Sequence, residues 1–162
     1  MTAARDHAPR AGQALALLLA TVLAGPAWAD DARGRPVPLL PEYVQECGAC
    51  HLAYPPRLLP AASWQRQMQR LQSHYGSDAS LDAVLTQKLS VWLQAEAGTG
   101  KRAREQPPED RITRAAWFVR EHDVVPATTW KLPAVKSAAQ CSACHTRADQ
   151  GDFSERHIRL PR

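Results

Sequence analysis

The five residues Cys47-Gly48-Ala49-Cys50-His51 recur as Cys141-Ser142-Ala143-Cys144-His145. C-x-x-C-H is the attachment signature of c-type haem. The two thiols add across the porphyrin vinyl groups, and the adjoining imidazole takes one axial position on the iron. On a helix, residues three and four apart share a face, so each motif would turn both sulfurs and its imidazole toward one flat ligand. Two such motifs in a short chain predict two haem c groups, held covalently by Cys47, Cys50, Cys141 and Cys144. His51 and His145 are then the proximal axial ligands. No cysteine is left over for another purpose. Four-cysteine zinc sites also use paired Cys-x-x-Cys units, but zinc gives no reason for a histidine directly after both pairs.

The compartment follows from the first 29 residues. Arg5 and Arg10 precede an apolar run from Ala14 to Ala24, and Ala27-Trp28-Ala29 is a small-residue cleavage site, the pattern of a secretory signal. At about eleven residues the run is too short to span a bilayer, and without an Arg-Arg pair it predicts Sec-type export with cleavage after Ala29. Removing 29 of the 162 residues leaves 133, one ordinary domain or two very small ones. The formal charge of +4 falls to +3, because Arg5 and Arg10 leave the 20 basic residues and Asp6 leaves the 16 acidic ones. Four haem propionates would bring the loaded protein near neutrality, so the basic composition does not point to nucleic acid.

The rest of the chain reads as helices and proline-broken loops, with no alternating β pattern; the fold class is all-α, with two small haem-binding lobes. Glu42 to His51 is a short helix carrying the first motif. Prolines 55, 56 and 60 forbid a helix after it. Ser63 is a candidate cap for a helix from Trp64 to Tyr75, and Ser80 for one reaching about Ala97 and stopped by Gly98. Lys88 interrupts the apolar face of the second of these. Residues 99–110 are polar and hold two prolines, so they divide an N-terminal lobe, 30–98, from a C-terminal lobe, 111–162. Arg111 to His122 reads as a helix, Ser137 as the cap of a last helix with the second motif, and 149–162 as a polar tail.

Each iron has a second axial position to fill. The candidates are His122, on an apolar helical face, and His74, at the edge of an apolar helical stripe, with Met68 assigned to core packing and His157 to solvent. His74 follows His51 by 23 residues and His122 precedes His145 by 23. That symmetry favours local pairs, His51–His74 and His145–His122, over crossed ones.

Glu46 through His51, Tyr54-Pro55-Pro56, Leu58-Leu59-Pro60, Ser63-Trp64, Met68, Leu71 and His74-Tyr75-Gly76 together resemble the bacterial dihaem cytochrome c family. A second C-x-x-C-H near the C-terminus followed by Gly151-Asp152-Phe153 extends the resemblance over nearly all of the exported chain. Tyr75 departs from it, standing where phenylalanine is expected. The resemblance implies two helical haem lobes, the first similar to a class I cytochrome c, with bis-histidine ligation of both irons. It also implies a periplasmic electron carrier whose partners are a small haem protein or a membrane b-type cytochrome. Haem with two protein ligands has no open position for substrate, and imidazole in place of methionine keeps its potential low. The rival readings are a dihaem peroxidase or small-molecule reductase with one open haem, and a non-catalytic sensor or assembly module.

Overall fold

A computed structural model describes residues 38–161. The signal segment and the Pro- and Arg-rich lead-in up to residue 37 lie outside the described residues. Every regular element among them is an α-helix or a 3₁₀ turn, and the only β contacts are three isolated bridges. The α-helices are α1 (Pro41–Cys47), α2 (Ala61–Met68), α3 (Ala83–Ala95), α4 (Ala116–Glu121) and α5 (Ala127–Trp130).

α1 starts with proline in its first turn, where a missing N–H costs nothing. It ends at Cys47, so the first motif begins in a helix and continues in a turn. α2 is shorter than its sequence pattern suggests. It is led in by Pro60 rather than capped by Ser63, and it stops at Met68. Ser63 instead lies wholly buried inside the helix, and its hydroxyl accepts from Arg66. A 3₁₀ turn, Leu71–Ser73, then delivers His74, so that histidine is not on a helix. α3 is capped by Asp82, not Ser80; the Asp82 carboxylate accepts from the N–H of Leu85 at 2.9 Å. Its exit needs Gly98, because a Cβ there would lie 2.5 Å from the Arg57 carbonyl oxygen. Lys88 leaves the apolar face and pairs with Glu42 on α1.

α2 and α3 pack on each other over a core of Tyr43, Ala53, Leu59, Trp64, Met68, Leu89 and Leu93. A second, smaller cluster, Ala115, Trp117 and Phe118, gathers Leu58, Ile112, Trp130 and Ala138. The predicted helix over 111–122 is in fact a 3₁₀ turn, Ile112–Arg114, followed by α4, with His122 as its C-cap. The second motif is not helical either. Lys136 takes a left-handed φ of 62°, and only a 3₁₀ turn, Cys141–Ala143, forms within the motif.

Residues 99–110 close on the first core. Glu109 and Asp110 both adopt a left-handed φ of 56°, a conformation that costs about 1–3 kcal/mol at a non-glycine residue. Arg66 holds the turn shut with two bonds to the Asp110 carboxylate, 3.0 and 2.8 Å, and Gln67 donates to the Asp110 carbonyl. Burial alone would raise the Asp110 carboxyl, but hydrogen bonds from Arg66 and Ser63 and the nearby guanidinium charges bring it below its usual range. A depressed carboxyl stabilises the fold above its unfolded pKa and stops doing so as pH falls through the folded value. Asp110→Ala is expected to cost about 1–2 kcal/mol at neutral pH, because it breaks a part-buried ion pair whose arginine is screened by solvent. In urea titrations the gap from the unmodified protein should close as pH falls below about 4. A gap constant from pH 7 to pH 3 would mean that the clamp is not ionic.

Candidate functional site

The structure brings the predicted histidines together in two pairs, each in an open cleft. In the first, the ring centres of His51 and His74 lie 6.2 Å apart with planes 26° from parallel. The cleft encloses about 190 Å³ and is walled by Tyr43, Leu59, Trp64, Met68 and Ile112, with Cys47 on its edge. In the second, His122 and His145 lie 6.1 Å apart with planes inclined at 68°. Phe118, Trp130, Val135, Phe153, Ile158 and Leu160 surround it, together with Cys141 and Cys144, around about 1000 Å³.

In the first pair, His51 follows the turn after α1, and its Nδ1–H donates to the Leu52 carbonyl at 2.7 Å. Its ring stacks on Tyr54, centroids 4.9 Å apart. His74 is fixed by the turn beyond it: Tyr75 and Gly76 take φ of 51° and 96°, and Ser77 N–H donates back to the His74 carbonyl. Tyr75 meets the His74 ring edge-on at 4.9 Å. Its hydroxyl donates to the Glu109 carbonyl at 2.9 Å and accepts from Gln67, while the Arg111 guanidinium lies 3.9 Å above its ring. The tyrosine that stands in place of phenylalanine is therefore more than packing. It ties the turn bearing His74 to the strained segment at 109–110.

In the second pair the supports are exchanged between the two histidines. His122 ends α4, where its Nδ1–H donates to the Phe118 carbonyl at 2.8 Å and its ring stacks on Phe118 at 4.0 Å. His145 follows the 3₁₀ turn and meets Phe153 edge-on at 5.4 Å. The segment after it folds back: Thr146 N–H donates to the His157 carbonyl, Arg159 N–H to the Cys144 carbonyl, and Gly151 turns at a φ of 70°. An Asp152–His157 pair at 2.8 Å locks this fold-back. Phe153, Ile158 and Leu160, the large apolar residues of the polar segment 149–162, wall this cleft.

These residues suit a metal-centred flat group. A metal–imidazole bond is about 2 Å long, so two of them, with the near halves of two rings, take up about 6 Å, the separation observed in both clefts. Nδ1 of His51 and of His122 is occupied by a carbonyl, which leaves Nε2 to coordinate. His74 and His145 each keep a buried Nδ1 without a partner. Burial, reinforced by the facing histidine, lowers the pKa of both, keeping them neutral as ligands must be. Burial also pushes the Cys47 and Cys141 thiols up to about 11, the opposite of the depressed thiols of dithiol oxidoreductases. Among the described residues, no three His, Cys, Asp or Glu side chains converge as a discrete metal cluster. Met68 is buried in the first core, and His157 is held by Asp152.

A family model described as dihaem cytochrome c matches residues 43–153. Among solved structures, the chain is similar to a dihaem cytochrome c from Shewanella baltica OS155, at 37% identity and a TM-score of 0.68, covering 77% of this chain and 95% of that one. It is also similar to the dihaem cytochrome c of Rhodobacter sphaeroides, at 38% identity and a TM-score of 0.66, covering 74% and 100%. No curated protein matches.

Proposed function

Since this chain belongs to the dihaem cytochrome c family and its cofactors are two haem c groups, we propose that it is a periplasmic electron carrier with both irons closed by two histidines. The observation that carries this reading is the pair of facing imidazoles in each cleft. Cys47 and Cys50 hold the first group and Cys141 and Cys144 the second. His51 and His74 would be the two iron ligands at the first, His145 and His122 those at the second. When bound, each haem supplies a reversible one-electron couple between ferric and ferrous iron.

The protein's own residues fit that couple for transfer rather than catalysis. Two imidazoles per iron would leave no position for substrate and would hold the potential below that of a methionine-ligated cytochrome. The carbonyls of Leu52 and Phe118 fix the tautomer and orientation of one imidazole in each pair. Around the second pair, Phe118, Trp130, Phe153 and Ile158 would give the haem an apolar wall. Export by the N-terminal signal places the carrier in the periplasm. No helix of the described residues is long and apolar enough to cross a membrane, and a membrane b-type cytochrome is one partner of matching chemistry. A small soluble haem protein is the other partner of matching chemistry, and nucleic acid is not a partner.

The test is coordination. Near-infrared magnetic circular dichroism of the oxidised protein should show bis-histidine bands only, and the dithionite-reduced protein should bind carbon monoxide slowly or not at all. Rapid stoichiometric binding at one haem would replace this reading with an enzyme bearing an open site.

A further inference from the structure

The two clefts share a wall. Cys141 lines both of them, and Ala139, two residues ahead of it, lines the first. Tyr54 sits at this seam. Its ring stacks on His51 at 4.9 Å, with planes 21° from parallel, and its hydroxyl donates to the Ala139 carbonyl at 2.7 Å. The residue has little freedom to drift. Its carbonyl accepts from the buried Tyr43 hydroxyl at 2.8 Å, and Pro55 and Pro56 follow it with fixed φ. One side chain thus touches an axial histidine of the first site and the backbone that leads into the attachment motif of the second.

We propose that Tyr54 is a positioning residue that sets the approach of the two haem sites and so governs the electronic communication between them. The proposal rests on the bis-histidine reading above. The transfer it governs is a single electron: the iron of one site is oxidised from ferrous to ferric as the other is reduced from ferric to ferrous. No proton or further reactant is needed. A second tie, from the Arg57 guanidinium to the Gly151 carbonyl at 2.7 Å, keeps the two halves attached when Tyr54 is altered. Substitution should therefore loosen the seam without separating them.

The experiment uses the loaded, full-length exported protein and the variants Tyr54→Phe and Tyr54→Leu. Two closely held haems give a paired positive and negative band in Soret circular dichroism, and their mutual influence appears as the separation of two midpoint potentials in a redox titration. Tyr54→Phe keeps the stack on His51 and loses only the hydrogen bond. It should lose part of the paired band. Tyr54→Leu loses both contacts and should lose most of that band, with a changed separation of midpoints, while both haems stay low-spin. A residue that only stabilises the fold would lower the melting temperature and leave the band intact; that result in Tyr54→Leu overturns the proposal. If the leucine variant fails to fold, an unaltered band in Tyr54→Phe does the same. An unmodified protein without two low-spin haems would instead refute the ligand assignment on which the proposal depends.

Discussion

Replacing His74 by alanine is expected to turn one haem high-spin and leave the other unchanged, and His122→Ala should do the reverse. Each substitution removes the imidazole facing a proximal histidine 6.2 or 6.1 Å away. Among the described residues, no other histidine lines either cleft. Met68 walls the first cleft but is itself buried, packed among Trp64, Leu89 and Leu93 in the first core, and His157 is engaged by Asp152 and Ser154. The altered iron keeps one imidazole and a weaker ligand or none, so its spectrum becomes high-spin and its ferrous form binds carbon monoxide. Each variant should therefore bind about one equivalent of carbon monoxide against almost none in the unmodified protein. Local pairing makes a further demand. With Cys47 and Cys50 both replaced by alanine, only the second haem remains, and it should stay low-spin because His122 and His145 serve it alone. Retention of full low-spin character in both histidine variants would sink the assignment.

How much of this was legible in the sequence depended on whether the signal was chemical or conformational. The two motifs and the symmetric placement of His74 and His122 are chemical, and the structure brings those histidines to the clefts that the motifs border. The conformational readings fared worse. Trp64 to Tyr75 has a helical stripe, yet the helix stops at Met68, because the chain must turn sharply to present His74 and spends two left-handed residues, Tyr75 and Gly76, in doing so. Ser63 and Ser80 look like caps, but the hydroxyl of Ser63 is drawn into the Arg66–Asp110 contact. No local rule reveals a partner 44 residues away. The second motif lacks the predicted helix for a related reason. Its turn is held by the returning segment, through the Thr146–His157 and Cys144–Arg159 backbone bonds, rather than by intrinsic helix propensity. Phe153, Ile158 and Leu160 were visible, but as three apolar residues in a polar composition they carry no periodicity that could assign them to a wall.

Those short elements lead to the largest expected effect. A chain with all four motif cysteines replaced by alanine should be largely unfolded at 25 °C, losing the whole of a small domain's stability, about 5–15 kcal/mol. Isolated helices shorter than about 12–15 residues are marginal in water. α4 has 6 residues and α5 has 4, so neither survives on propensity. Their packing does not compensate: the second cluster has only Ala115, Trp117 and Phe118 fully inside. Trp130, Phe153 and Ile158 stay partly exposed around a 1000 Å³ cleft, the face that a haem held by Cys141 and Cys144 would cover. The first half is better provided, since α2 and the 13-residue α3 bury Leu89 and Leu93 against Trp64 and Met68. Loss should therefore be uneven. Removing Cys141 and Cys144 alone should strip amide-exchange protection from α4, α5 and the segment after the second motif, while leaving much of it in α2 and α3. Removing all four should also abolish most of the far-ultraviolet helical signal. A four-cysteine variant that kept the ellipticity of the loaded protein would show that the two clefts are preformed and that the haems are guests in the fold rather than its core.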